Sequence, residues 1–163
     1  MVKNNVLTWD NIANYLESIR MVSDVDINRV REIFSQGKVI CPEELKFIFV
    51  SNYKESDGKE QFKDLWLFSD NYVIEALNFS ALENAKLEMT IFNKNLLSIS
   101  VEAENYDFSR KAKDESKLHI VFYTLGIFSC DQIAYGVNCD TLMLIFKKYI
   151  KYNLVRGQSS ALV

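Results

Sequence analysis

Residues 62–79 read FKDLWLFSDNYVIEALNF, two extended apolar segments separated by a polar pair. Residues 62–69 and 72–79 are rich in aromatic and branched side chains, which favour β-strands. Asp70 and Asn71 have the separation of a two-residue hairpin turn, and both residue types tolerate the left-handed backbone that such turns commonly need. The stretch therefore predicts an antiparallel hairpin with a left-handed turn.

Further segments with extended apolar patterns surround this hairpin. Residues 96–103 show the pattern best, because apolar residues alternate with serine and glutamate, as in a strand with one face in water. The other segments are residues 44–53, 86–92, 118–125 and 127–135. Residues 93–95 join two of these candidates, and Gly126 joins the last two in a tight or bulged connection. Together they predict about seven antiparallel strands within residues 44–137, forming a curved sheet or a small barrel.

The beginning of the chain has a helical rather than an extended period. Residues 8–36 predict a hairpin of two helices with one apolar face, and Thr8 is the expected N-cap of the first helix. The second helix is expected to begin near Asp24 or Asp26 and to stop at Gly37. The apolar face must be covered, so we expect the hairpin to pack on the sheet.

The chain is predicted to end with one amphipathic helix over residues 140–154 and a frayed tail over residues 157–163. One proline and five glycines occur in 163 residues. No linker rich in these residues is present, so a single domain over residues 1–163 is expected. The predicted fold class is α+β, with an N-terminal helical hairpin, about seven antiparallel strands and a closing C-terminal helix.

Composition and charge narrow the function classes. The chain is 48% hydrophobic and 25% charged, as ordinary globular domains are, and its net charge is −3. An acidic chain does not favour nucleic acid as the principal partner, since phosphate binding relies on clustered lysine and arginine. The basic end of the last helix complements the helix dipole, and a membrane surface is the less favoured alternative. The charged residues 107–116 are expected to form an exposed loop.

The predicted cellular location and the prediction of no metal site both depend on features that the sequence lacks. The first residues have no secretory signal core, and no stretch approaches the roughly 20 apolar residues that cross a bilayer. A soluble cytoplasmic protein is therefore expected. Cys41, Cys130 and Cys139 form no closely spaced pair and accompany a single histidine. We predict three reduced, mostly buried thiols and no metal or cofactor.

The order of seven antiparallel strands and one C-terminal helix over residues 44–154 resembles the pleckstrin-homology-like superfold. The resemblance implies two nearly orthogonal sheets that form a barrel with the helix at one open end. Members of that superfold bind phosphoinositides or peptides, or serve as adaptors. Residues 54–64 carry three lysines and four acidic side chains, which does not favour a phosphoinositide site here. An open antiparallel sheet with helices on one face is the alternative fold.

His119 is the sole histidine, so any mechanism that uses an imidazole must use it. It alternates with apolar residues in a predicted strand, and no acid or nucleophile is placed beside it by sequence proximity. Glu102 and Glu104 share one face of their strand, which is typical of two solvated charges. No phosphate-binding glycine loop is present. The sequence therefore predicts no catalytic constellation.

Aromatic residues supply the remaining candidates. Several aromatic side chains lie on both faces of the same predicted strand. One buried face of a sheet cannot cover all of them. Trp66, Phe68 and Tyr72 near the predicted turn are the candidate binding residues, since large aromatic side chains dominate contact surfaces. The alternative is that the helical hairpin covers them.

Three functions stay open at this stage. The first is a non-enzymatic module that binds a protein or peptide through a sheet groove or an open edge. The second is an acidic homodimeric chaperone or immunity-type partner. The third is a small enzyme that uses His119.

Overall fold

The computed structural model of this protein describes residues 6–80, 88–93, 96–124 and 129–150. By its internal contacts the chain divides into two compact units, Met1–Phe92 and Asn93–Val163. The elements are α1 (Trp9–Ser18), α2 (Asp24–Ile40), β1 (Phe47–Lys54), β2 (Glu60–Phe68), β3 (Tyr72–Ala76), β4 (Thr90–Asn93), β5 (Leu96–Glu104), β6 (Lys117–Thr124), β7 (Ser129–Tyr135), α3 (Asn138–Ile145) and a π-helical segment (Phe146–Ile150). This order confirms the predicted α+β class. The single domain stays a prediction.

A hydroxyl side chain caps the N-terminus of each of the first two helices. The Thr8 hydroxyl accepts a hydrogen bond from the Asn11 backbone N–H at 3.2 Å, which confirms the predicted N-cap. The Ser23 hydroxyl accepts one from the Asp26 N–H at 3.4 Å, and α2 begins at Asp24 as predicted. Each cap satisfies a backbone donor that has no partner within its own helix.

Gly37 does not end α2, so the predicted stop is wrong. The helix continues to Ile40, and Gly37 is buried within it. A Cβ atom at this position would lie 2.7 Å from Leu67 Cδ1 and 3.4 Å from Leu45 Cδ1. Glycine therefore suits this position because α2 approaches the sheet closely, and not because the backbone turns left-handed.

The helical hairpin packs on one face of a four-stranded sheet with the strand order β1-β2-β3-β4. This confirms that the sheet covers the apolar face of the hairpin. The sheet contributes Ile48, Val50, Leu65, Leu67, Ile74 and Ala76 to a shared core, and the helices contribute Ile12, Leu16, Val30, Ile33 and Phe34. The Tyr15 hydroxyl accepts a hydrogen bond from the Val50 N–H at 3.0 Å, beside the register shift in β1.

The predicted hairpin is present in β2 and β3, which pair antiparallel. Its turn differs from the prediction, because neither Asp70 nor Asn71 has a left-handed backbone. The Glu43 carboxylate instead accepts hydrogen bonds from the Asn71 N–H and the Ser69 hydroxyl, each at 2.8 Å. A carboxylate from the preceding segment therefore holds the turn, and the left-handed backbone is not needed.

The second unit contains a three-stranded antiparallel sheet with the order β5-β6-β7, followed by α3. Helix α3 contacts β6 and β7. One face of these two strands is buried through Leu118, Ile120, Phe122, Cys130, Gln132 and Ala134. Within the described ranges neither sheet closes on itself. The barrel that the pleckstrin-homology-like resemblance implies stays a prediction.

Several predicted boundaries change. Helix α3 begins at Asn138, earlier than predicted, and becomes π-helical at Phe146. β4 and β5, which were predicted to flank residues 93–95, belong to different sheets. The Gly126 connection, the predicted helix beyond residue 150 and the predicted tail lie outside the described residues.

Substitution of Gly37 tests the close approach of α2 to the sheet. We expect Gly37→Val to lower the free energy of unfolding by about 1–3 kcal/mol, because the added methyl groups overlap the buried Leu67 side chain. Denaturant unfolding measures this loss. Ser35→Val, at an exposed position of the same helix, is the control and should change stability by no more than a few tenths of a kcal/mol. Equal effects of both substitutions would contradict the close approach.

Gln132 is the polar exception on the buried face of β7. Its side chain is 0% exposed, and neither its Nε2 nor its Oε1 has a hydrogen-bond partner in the described part of the chain. A buried amide without partners costs about 1–3 kcal/mol. We expect Gln132→Met, which keeps the length of the side chain, to raise the free energy of unfolding by about 1 kcal/mol or more. Gln132→Glu buries a charge and should lower it. A clear loss of stability in Gln132→Met would show that the amide is bonded.

Candidate functional site

The structure separates the three aromatic residues predicted to bind a partner. Trp66 and Phe68 are 0% exposed and lie on the face of β2 opposite the helical hairpin. The Trp66 indole N–H donates to the Glu75 carboxylate at 2.9 Å, and the ring stacks on Phe49 with the centroids 5.8 Å apart. Tyr72 is half-buried against the core on the helical side. The three side chains do not share a surface, and their role in binding stays a prediction.

His119 lies between two carboxylates on the exposed face of the second sheet. Its Nε2 contacts Asp131 Oδ1 on β7, and its Nδ1 lies 3.9 Å from Glu102 Oε2 on β5. Glu102 pairs directly with His119 in the antiparallel register. Sequence proximity could not identify these partners, because each lies on a neighbouring strand. Strand alternation combined with the β5–β6–β7 register would have identified them.

The two carboxylates can orient the imidazole but do not complete a catalytic site. A general base also needs a reacting group within hydrogen-bond reach. Ser100 is the next residue on that face of β5, and it is not bonded to His119 in the described structure. No group of three or more histidine, cysteine or acidic side chains among the described residues could hold a metal ion. The arrangement is an exposed charged patch, and an enzyme that uses His119 stays a prediction.

The connection between β5 and β6 is mostly exposed, as predicted for residues 107–116, and it is organised around Asp140 in the first turn of α3. The Asp140 carboxylate accepts hydrogen bonds from the Ala112 N–H at 3.1 and 3.2 Å and from the Tyr106 hydroxyl at 3.1 Å. The Ser116 hydroxyl donates to the Asn105 carbonyl at 2.7 Å, across the base of the loop. These bonds tie the loop to the helix and to the end of β5.

A cleft of about 440 Å³ opens along this loop. Arg110, Lys111 and Lys113 line it, but so do Asp107 and Glu115. The mixed charges do not define a preference for anions or for cations. The lining of the cleft therefore does not identify a class of ligand.

Two groups near the loop, the Tyr106 hydroxyl and the Cys139 thiol, have raised pKa values. Burial raises the pKa of the Tyr106 hydroxyl above its usual value, and the hydrogen bond to Asp140 raises it further. Burial also raises the pKa of the Cys139 thiol to about 12, and the charge of Asp140 adds to that shift. Cys41 and Cys130 are likewise buried and form no disulfide, which confirms the predicted buried thiols. Because a thiolate is the reactive form, Cys139 does not supply a nucleophile at neutral pH.

The accessible feature of this unit is strand β5. It is an edge strand, bonded to β6 on one side, and no strand of the described structure pairs with its other side. Five consecutive residues are exposed, from Ser100 to Glu104, and Val101 is 38% exposed. A strand that presents unpaired backbone donors and acceptors is a template for pairing with another chain. The β5 edge is therefore the candidate functional site.

Comparison with protein-family models, with curated proteins and with solved structures finds no match for this chain. In the described ranges no helix combines the length and the apolar character needed to cross a membrane.

Substitution of Asp140 tests whether this residue anchors the loop that follows β5. We expect Asp140→Ala to lower the free energy of unfolding by about 1–3 kcal/mol, because the Ala112 N–H and the Tyr106 hydroxyl lose their acceptor. Chemical denaturation provides the measurement, and hydrogen exchange should become faster in residues 105–116. Glu115→Ala, an exposed acid of the same loop, is the control and should leave both quantities nearly unchanged. If Asp140→Ala were as stable as the control, the anchoring role would be excluded.

Proposed function

We propose that this protein is a non-enzymatic module that binds a protein or peptide by adding a strand to the β5 edge. The observation that carries the proposal is the nine-residue edge strand β5 in a three-stranded sheet, in which Ser100 to Glu104 are exposed. In strand addition the backbone hydrogen bonds supply affinity, and alternate side chains supply specificity. The β5 edge offers both of these elements.

The other edge strands suit this role less well. In the first sheet, β1 is largely buried and β4 spans four residues. In the second sheet, β7 buries every second side chain and is followed closely by α3. β5 alone among these edges combines length with exposure on both faces. The edge that a partner strand could follow over several residue pairs is therefore β5.

The side chains of β5 divide into two rows that a partner would meet. Ile99, Val101 and Ala103 alternate on one face, where Val101 and Ala103 are exposed and Ile99 is half-buried. The other face carries hydroxyl and carboxylate groups. An added strand would extend both the apolar and the polar face of the sheet.

Location belongs to the proposal as well. Three buried cysteines that form no disulfide are consistent with a reducing compartment, where structural disulfides are rare. We place the module in the cytoplasm.

An acidic homodimer of the chaperone or immunity type is the competing proposal, and the solution mass of the protein distinguishes it from a monomeric module.

Val101 tests the proposed edge. Peptides selected from a random display library should protect the backbone amides of β5 from hydrogen exchange. We expect Val101→Lys to weaken their binding by about tenfold or more, because a charge replaces the apolar side chain that an added strand would pack against. Val39→Lys places the same change on α2, where Val39 is 83% exposed, and should bind like the original protein. Protection confined to other strands, or equal binding by both variants, would overturn the proposal.

A further inference from the structure

The β5 edge has a charge pattern in addition to its open backbone. Glu102 and Glu104 lie on one face at the C-terminal end of the strand, and Ser98 and Ser100 continue that face toward the N-terminal end. All four are exposed, and the Glu102 side chain is 83% exposed. A partner strand would therefore meet two carboxylates, then two hydroxyl groups, at alternate positions.

The basic side chains inside the sheet leave these carboxylates accessible. Lys117 pairs with Glu104 in the register, yet its Nζ lies over the ring of Tyr135 on β7, 5.4 Å from the centroid. His119 pairs with Glu102, but its closer carboxylate contact is to Asp131 on the opposite side. Both basic groups therefore interact mainly toward β7. The open side of β5 keeps an acidic row.

We infer that the strand recognised by β5 is basic and alternating, with lysine or arginine opposite Glu102 and Glu104 and apolar residues at the positions between them. This inference rests on the proposed strand addition and names its partner class. Oppositely charged cross-strand pairs stabilise a sheet, whereas like charges directly opposite each other destabilise it. Hydroxyl side chains match Ser98 and Ser100 in the same row.

A second copy of this chain fits the edge less well than a basic strand. Antiparallel pairing of β5 with itself over its full length places Glu102 opposite Ser98 of the second copy and supplies no cation to the carboxylates of either copy. The chain already has a net charge of −3. Charge complementarity therefore favours a basic partner over self-association.

Synthetic peptides test the inference directly. Aligned antiparallel to β5, the peptide Lys-Val-Lys-Val-Thr-Val-Thr places its lysines opposite Glu104 and Glu102. We expect it to bind about tenfold more tightly than Gln-Val-Gln-Val-Thr-Val-Thr, and Glu-Val-Glu-Val-Thr-Val-Thr to bind most weakly. Fluorescence anisotropy of labelled peptides gives the dissociation constants. Raising the salt concentration from about 0.05 M to about 0.5 M should reduce the preference, because it screens exposed charges.

Matched variants assign the preference to these two carboxylates. Glu102→Gln combined with Glu104→Gln should remove the preference and leave the neutral peptide bound. Glu17→Gln combined with Glu55→Gln changes the net charge equally at exposed sites of the first unit and should keep the preference. Circular dichroism and thermal unfolding confirm that each variant is folded.

The experimental outcomes distinguish the inference of a basic partner strand from the proposal of strand addition on which it rests. Equal binding of all three peptides, with β5 protected from hydrogen exchange, overturns the basic partner while strand addition stands. Protection of β5 in a dimer without peptide also overturns it and assigns the edge to a second copy. If none of the three peptides binds and library peptides protect other strands, strand addition itself is excluded.

Discussion

The antiparallel register between β5 and β6 is the constraint on which the candidate site depends. Because side chains alternate across a strand, this register places Glu102 beside His119 and Glu104 beside Lys117 on the exposed face. A slip of one residue would move the glutamates toward the buried face and Val101 away from its apolar row. The acidic row and the apolar row therefore have one common cause, and the position of β5 at the edge of the sheet makes both accessible to a partner strand.

The loop and helix of the second unit help to maintain that register. The connection from β5 to β6 is long, and such a connection alone would specify the strand pairing weakly. Asn105 has a left-handed backbone with φ of 52°, and its carbonyl accepts a hydrogen bond from Ser116 immediately before β6. The Gly136 N–H donates to the Ser116 carbonyl at 2.8 Å, which adds the end of β7 to the same junction. Asp140 then joins the middle of the loop to α3. The end of the sheet that carries Glu104 is thus bonded to the loop and to the end of β7, and the loop is bonded to α3.

Local signals were sufficient to predict the element types. A capping threonine at position 8 and the alternation in residues 96–103 depend on neighbouring residues, and the structure agrees with both. Gly37 shows where such signals fail, since a glycine near a helix end also suits a close contact inside the helix. The Asp70-Asn71 turn fails for a related reason, because Glu43 supplies its hydrogen bonds from outside the hairpin. Long-range contacts decide both cases. The same limit applies to the site, since His119 obtains its partners from two other strands and Trp66 and Tyr72 are separated by strand alternation.

The glutamates of β5 have a physical consequence beyond recognition. An exposed edge strand with apolar residues is prone to pair with copies of itself, and charged side chains at the edge oppose such pairing. Pairing of two copies over the C-terminal half of β5 brings Glu102 and Glu104 of both copies together, and pairing over the full length covers these carboxylates without supplying a cation. A strand with cations at the matching positions compensates both charges. Specificity often combines an attractive contact with a repulsive one in this way. The same two carboxylates can therefore keep the edge unpaired in the free protein and select the strand that pairs with it.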